Sequence, residues 1–516
     1  MITHEWNALV ALIPLLPVLA ALLIVILHLT GAAQGEKREK GEPLTARLTL
    51  TASVISLLLL LVLDVAALQH GVAGQVVVAQ WFASGNVHVP LSFTLDGLSL
   101  GFATLVSFIA LVTLKFSVNY MHREAGFQRF FIGMNLFVAG MLLIVLAGNA
   151  ALAFVGWELA GLSSWMLIGY AYERETATLN AQRAFLTNRV GDAGFLLAIA
   201  LSFLWLGGLD WADMAAGAAR LPTLYVGLIG LGFVTAALAK SAQVPFSPWI
   251  TRALEGPTPS SAIFYGAIMV HAGVYLLLRL EPVLVHAPGV MALIALLGFI
   301  TALYGWLVGY VQTDVKSGLL FATLTQVGIM FLTCGLGWFE VAAWHMGLHA
   351  TWRAWQFLSA PSYMHFLSAP TPPAPAWLRR FPFLYTAALQ RFWLEPLADR
   401  LLTRPTLAMA RDMRAIDDNV VSRLIGMPED ARARDLLNIR DGNEAVVKAR
   451  GVAGGLLVWV ATRLGQFEQR LVLQGGGGRL NTGLQHLGNW LKWVESLLQQ
   501  PRYLLLMVMA TLVVIL

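Results

Sequence analysis

Cysteine is almost absent: Cys334 is the only one in 516 residues. A single thiol inside an apolar stretch excludes a disulfide framework and any cysteine-built metal cage, and its expected role is a small buried core residue. Charge is scarce too. Asp, Glu, Lys and Arg make up 12% of the chain, against 58% hydrophobic residues. The formal net charge of +5 is not gathered into a basic segment interleaved with aromatics, so nucleic acid is not an expected partner. No cleavable leader is expected either, because the first apolar run has full spanning length and no basic region precedes it.

What fills the chain is hydrocarbon. The mean hydropathy of +0.69 marks an integral membrane protein. Apolar runs of spanning length fall at 8–29, 47–69, 93–114, 129–148, 150–172, 184–207, 223–252 (broken), 257–280, 290–311, 318–337 and 340–360, with a twelfth at Tyr503–Leu516. The fold class this predicts is all-α: a polytopic membrane protein of about twelve transmembrane helices. Lys37, Arg38, Lys40, Arg47, Arg123, Arg174, Arg183, Arg252 and Lys316 all fall in one alternating set of loops, and Arg220 alone falls in the other. The positive-inside rule then puts the N-terminus outside and residues 361–500 in the cytoplasm.

Past Ala360 the character changes. Ser368–Trp377 is proline-rich and reads as a stiff connector. Residues 361–450 hold 13 Lys/Arg and 10 Asp/Glu, too many for further spans, so 384–425 is expected as an amphipathic helix at the cytoplasmic face. Residues 452–473 are amphipathic as well, and the GGGG at 475–478 is a flexible break. The expected organisation is 1–92 as N-terminal transmembrane helices, 93–361 as a channel core, 362–500 as a charged cytoplasmic or interfacial tail, and 501–516 as a C-terminal transmembrane helix.

Chemistry concentrates where charge sits in hydrocarbon. Lys240 lies in an apolar helix, with Pro245 and Pro248 shortly after it. Proline removes a donor and clashes with the carbonyl four residues back, so the helix breaks past the lysine. A charge at bilayer depth costs about 2.5–3.5 kcal/mol on the insertion scale, and freed backbone must find partners or line a wet cavity. Lysine and break together suggest an ion path; a lysine snorkelling to the interface is the plainer alternative. Glu158 sits nine residues into an apolar run, where a carboxylate is by default paired or proton-carrying. Arg189 and Asp192 have the i,i+3 spacing of a local pair. His345, His349 and Arg353 recur every four residues and share one helix face. The histidines suit a proton relay, and the arginine a fixed charge at its end. His271 stands alone on its span.

These stretches resemble the proton-conducting antiporter-like subunits of respiratory complex I, subunit L above all, and of multisubunit cation/proton antiporters. The likeness runs from about Phe93 to Pro361. It is carried by TLDGLSL (Thr94–Leu100), GWELAGLSSWMLIGY (Gly156–Tyr170), RVGDAG (Arg189–Gly194), AKSAQVPFSPWI (Ala239–Ile250), GPTPSSA (Gly256–Ala262) and DVKSGLLFATLTQVGIMF (Asp314–Phe331). The resemblance implies an antiporter-like fold with a broken helix at Lys240, a Glu158–Lys240 pair gating a half-channel, and a central relay at His345 and His349. It departs from subunit L at Arg353, where that family has a lysine, and at Tyr265, where it has a histidine, with His271 six residues later. The second half is expected to be truncated and followed by cytoplasmic amphipathic helices. That pattern is similar to the DabB family, the membrane subunits of two-component inorganic-carbon accumulation complexes. It implies a large soluble zinc-binding, carbonic-anhydrase-like (DabA-like) partner on the cytoplasmic side. Ion flow would there drive conversion of CO2 to bicarbonate, and the membrane chain would be no enzyme, with no cofactor or metal of its own. The alternatives are a proton-pumping subunit of an NADH-quinone oxidoreductase or hydrogenase complex, and a cation/proton antiporter subunit.

Overall fold

An apolar segment in lipid has no water to satisfy its backbone, and a helix is the form that satisfies it within one segment. The computed structural model describes residues 7–29, 38–84, 87–366 and 373–416. Contacts divide the chain into two units, Met1–Arg404 and Pro405–Leu516. The first unit opens with α1 (Asn7–Leu29) and α2 (Arg38–His70), then strands β1 (Gly74–Ser84) and β2 (Val87–Leu95). Next come α3 (Gly97–Tyr120), α4 (Phe127–Leu146), α5 (Ala150–Ile168), α6 (Glu175–Leu206), the short α7 (Trp211–Ala218) and α8 (Thr223–Lys240). After α9 (Pro248–Arg252) the chain runs through α10 (Thr258–Ser261), α11 (Ala272–Arg279) and α12 (Glu281–Leu284) to the long helices α13 (Pro288–Gly309), α14 (Val315–Gly335) and α15 (Phe339–Phe366). Short helices α16 (Ala376–Arg379), α17 (Pro382–Leu389) and α18 (Leu394–Ala398) close this unit, and α19 (Arg404–Ile416) starts at its boundary.

Among the described residues, ten helices are long and apolar enough to cross a membrane. The eleventh expected span is the 28-residue α15, which falls outside the ten because it carries His345, His349, Arg353 and Gln356 in place of hydrocarbon. The twelfth, Tyr503–Leu516, lies outside the described residues, as do 452–473 and the glycine run at 475–478.

Three expectations need correcting. The connection expected between the spans at 47–69 and 93–114 is not a plain loop: residues 74–95 form an antiparallel hairpin pairing Gly74 with Leu95 and Ser84 with Val87, in an otherwise mostly helical chain. The β-branched and aromatic run Val76, Val77, Val78, Trp81, Phe82 favours a strand over a free loop. The hairpin also moves the start of the next span from 93 to Gly97, where Asp96 accepts from Ser99 N and Ser99 Oγ accepts from Asp96 N in a capping box. Finally, 384–425 is not one helix. Its described part breaks at Arg391, Phe392 and Trp393, whose φ values of +50°, +54° and +51° lie in the left-handed region.

Small residues set the packing. Gly140 on α4 and Gly156 on α5 each face the other's carbonyl oxygen, as do Gly194 on α6 and Gly232 on α8, and Gly298 on α13 and Gly328 on α14; a Cβ at any of these six would stand within 2.9 Å of that oxygen. Backbones this close leave no room for a side chain, the usual route to tight packing in lipid. Elsewhere a proline is compensated. Pro17 cannot donate to the carbonyl of Ile13, and Ser56 Oγ on α2 donates to that oxygen instead, at 3.0 Å.

Candidate functional site

Lys240 is the last residue of α8, and the break comes where the prolines place it. Ala242 takes φ +52°, Gln243 Nε2 donates to Ser241 O at 2.9 Å, and Val244 N donates to Thr301 Oγ1 at 3.0 Å. Trp249 Nε1 reaches back to Ala239 O at 2.8 Å. Backbone groups freed by the break are thus met from α9 and α13. Lys240 is 1% exposed. Its Nζ donates to Trp157 O at 3.1 Å and lies 4.9 Å from the centre of the Trp157 ring. Gly161, one turn further along α5, keeps the space open: a Cβ there would sit 3.2 Å from Nζ. An ammonium has three donors, and the described residues give this one a single acceptor.

The carboxylates stand beside it. Glu158 on α5 pairs with Arg189 of α6, and Arg189 Nη1 is 3.5 Å from Asp192 Oδ2 one turn on. Trp157 Nε1 donates to Asp192 Oδ1 at 2.9 Å, so this one tryptophan touches both the lysine and the aspartate. Gly191 and Gly194 bring α6 onto α8 and set Asp192 in the interface. The structure therefore gathers Glu158, Arg189, Asp192 and Lys240 around Trp157. It does not close the expected Glu158–Lys240 pair: among the described residues Lys240 has no carboxylate within 4.0 Å, and Glu158 is held by Arg189. Glu158 Oε1 is buried and has no hydrogen-bond partner among the described residues. Trp157 escaped the sequence reading, although it directly precedes Glu158 in a quoted motif.

A second interrupted helix crosses the first. Residues Thr258–Arg279 form one candidate span, but α10 passes into a π turn at Ala262–Ala267, a 3₁₀ turn at Met269–His271, and only then α11. No proline at the turn announces this. Ser241 Oγ, next to Lys240, donates to Val270 O, next to His271, at 2.7 Å. Gly273 lies so close to Ala237 O and Ser241 Oγ that no Cβ would fit. One hydrogen bond thus joins the two breaks. Tyr265 lies in the π turn, fully buried, with its ring 6.2 Å from that of Phe357 on α15.

The turn delivers His271 to α15. His271 Nε2 and His349 Nδ1 are 3.0 Å apart, and Arg353 Nε donates to His349 Nε2 at 3.4 Å. With Nε2 accepting, the His349 proton sits on Nδ1 and points at His271. Arg353 also donates to Gln356 Oε1 at 2.8 Å. His345 does not continue the row: its ring centre is 6.1 Å from that of His349, and its Nε2 donates to Gln326 Oε1 of α14 at 2.9 Å. The expected one-face wire His345–His349–Arg353 is therefore replaced by a pair spanning two elements, His271–His349, with Arg353 behind it. Their separation of 78 residues hid the pair from the sequence.

Both ends of the membrane body carry polar fittings. On the hairpin side, Arg279 Nη2 at the end of α11 donates to Asp96 Oδ1 at 3.1 Å and to Tyr275 Oη at 2.8 Å. Burial alone would raise the Asp96 carboxyl, but the bonds from Arg279 and Ser99 outweigh it and hold it below the ordinary carboxylate range. Nearby, burial pushes Asp210 up even though Gln75 Nε2 donates to it at 2.6 Å. At the other end Arg252 on α9 pairs with Glu395 and donates to Asn180 Oδ1 at 3.0 Å. Burial first, then Arg183, pushes the Arg252 guanidinium down, while Asp399 pulls it back.

Residues 147–368 match the family described as NADH:quinone oxidoreductase/Mrp antiporter, TM, and residues 81–131 match NADH-Ubiquinone oxidoreductase (complex I), chain 5 N-terminus. NADH-quinone oxidoreductase subunit L of Mycobacterium tuberculosis is 39% identical over 287 residues, 55% of this chain and 45% of that protein. NAD(P)H-quinone oxidoreductase chain 5 of Synechocystis sp. is 35% identical over 309 residues, 57% of this chain and 44% of that one. The chain thus spans less than half the length of these relatives. Among solved structures, the Mrp complex from Dietzia sp. DQ12-45-1b superposes with TM-score 0.58 and 28% identity, covering 67% of this chain and 37% of that one. A chain of the archaeal membrane-bound sulfane sulfur reductase shares the fold, with TM-score 0.58, 20% identity, and coverage of 73% and 60%. Residues 81–131 and 147–368 thus match the antiporter-like membrane subunits of the NADH:quinone oxidoreductase and Mrp type, and the chain shares their antiporter-like fold.

Proposed function

We propose that this chain is the ion-translocating subunit of a multisubunit membrane complex, and that it moves protons through the cluster at its two interrupted helices. The observation that carries this is Lys240: fully buried at a helix break, given one acceptor, and set beside Glu158, Arg189 and Asp192. Buried charges of this kind are costly in lipid and persist where an ion is handled. A path runs from Glu158 and Asp192 past Trp157 to Lys240, across the Ser241–Val270 crossing, and on through His271 to His349, with Arg353 as a fixed cation that holds the His349 tautomer. The relatives' names, NADH-quinone oxidoreductase subunit L and the Mrp complex, favour a partner assembly of respiratory or antiporter kind. Residues 93–361 are the channel core, and the Lys/Arg-rich loops face the cytoplasm.

The test is proton uptake by vesicles carrying the intact complex, under an imposed gradient. Lys240→Met should lower the flux at least tenfold with assembly intact. Flux at the unmodified level in that variant would overturn the reading.

The inorganic-carbon reading keeps one observation in its favour. Arg353 replaces a titratable lysine and is spent on His349 and Gln356, which suits a single half-channel serving a soluble partner. Co-purification with a large zinc protein, and failure to grow at air CO2 without the chain, would favour it over a redox assembly.

A further inference from the structure

A cleft opens on the face that bears the Lys/Arg-rich loops. It is lined by Arg183 and Thr187 of α6, Trp249 and Arg252 of α9, and Glu395 and Asp399 of the segment after the membrane helices. Two of its lining residues adjoin the proposed path. Thr187 is half a turn before Arg189 on α6, and Trp249 holds the carbonyl of Ala239, the residue before Lys240. Its roof is the Arg252–Glu395 ion pair, whose two halves differ in their access to water: the Glu395 side chain is 47% exposed and that of Arg252 17%. The roof is held in a strained position. Three successive non-glycine residues, Arg391–Trp393, adopt left-handed φ, a conformation that persists only where the surroundings impose it. Here they do: Arg391 sits over the Phe321 ring at 5.7 Å, and Phe392 meets Tyr304 with ring centres 6.1 Å apart.

We infer that this cleft is the inner mouth of the ion path, and that Glu395 is the carboxylate that exchanges protons between it and water. The inference rests on the translocation reading for the word "path", but the mouth itself is testable without any flux. A carboxylate wet on one side and paired to a sheltered guanidinium on the other has two states. Ionised, it closes on Arg252. Protonated, it loses its charge and its hold, and Arg252 is left with its bond to Asn180 and the attraction of Asp399. The other charged groups around it are Arg183, Arg391, Asp399 and Arg404; Asp399 also attracts Arg252 but takes a bond from Arg404 Nε on its Oδ2 at 3.0 Å, and among the described residues Glu395 is the carboxylate in direct ion-pair contact with Arg252.

Two measurements on the full-length complex decide it. In a Cys334→Ala background, Thr187→Cys should react with a membrane-impermeant thiol reagent added on the Lys/Arg-rich side and stay unlabelled from the other, and labelling should go at least fivefold faster when Glu395→Gln removes the latch. In vesicles, Glu395→Gln should lower proton flux at least fivefold and flatten its pH profile, while Glu395→Asp restores both to within about twofold. No labelling of Thr187→Cys from that side, or a Glu395→Gln flux and profile equal to the unmodified protein's, overturns the inference. Absent flux in the unmodified protein would instead sink the translocation reading, and the labelling would still decide the mouth.

Discussion

Arg189 is the residue on which the buried carboxylates depend. It pairs with Glu158 and reaches Asp192, and removing one partner of such a pair costs more than the pair itself contributes, about 3–5 kcal/mol, because a charge is left in low dielectric. Arg189→Leu should therefore lower the yield of folded protein sharply, and Arg189→Leu with Glu158→Leu should recover it while leaving vesicle proton flux near background. Size-exclusion yield beside flux separates the two effects; a double variant as unstable as the single would mean the arginine acts through something else. Asp96 gives a second residue-scale expectation, set by pH. Its folded carboxyl is held low by Arg279 and Ser99, so its contribution to stability is present above the ordinary carboxylate value of roughly 3.9 and is lost as pH falls below it. Asp96→Asn should thus lower the melting temperature at pH 7 and matter less near pH 3. The individual charges were legible in the sequence, because a Lys, Glu or His inside an apolar run stands out by its cost. Their partners were not. Nothing local in the chain says that Glu158 turns to Arg189 rather than Lys240, or that His349 meets a histidine 78 residues away.

At the scale of elements, the break after Lys240 was readable because proline leaves a steric signature, whereas the π turn at Ala262–Ala267 leaves none and emerged only with the structure. The β1–β2 hairpin was missed for a different reason: its strands are too short to span, and a hydropathy scan sees anything shorter as a connection. Proline breaks also need partners, and α1 shows what happens when one is supplied from outside. Ser56→Ala would strip Ile13 O of its donor, leaving a buried carbonyl unmet at a cost of about 1–3 kcal/mol. The same substitution with Pro17→Ala, which returns an N–H to α1, should be close to neutral in thermal unfolding. If Ser56→Ala is harmless by itself, a neighbouring group is meeting the carbonyl and the compensation is not Ser56's.

At the scale of the whole molecule, six of the ten membrane helices found among the described residues join by mutual glycine contacts, in pairs that are neighbours in sequence or nearly so: α4 with α5, α6 with α8, α13 with α14. Gly328→Val should break the last of these by setting a branched side chain against Ala302 N and Gly298 O, and the loss should appear as protease-sensitive or unassembled protein rather than as slow flux. Folded protein with reduced turnover would instead tie the α13–α14 contact to the working cycle. The Asp96–Arg279–Tyr275 cluster has a mechanical consequence of its own. It fastens the end of α11 to the start of α3, and Tyr275 Oη donates to Val145 O of α4 at 2.5 Å, so that end is tied to two elements. The other end of the same span passes through turns that depart from α-helical geometry at Ala262–Ala267 and Met269–His271. A rod clamped at one end and jointed at the other swings rather than slides. Any stroke that lifts His271 from His349 is then a pivot about Arg279, with its largest arc near Tyr265 and almost none at the hairpin face.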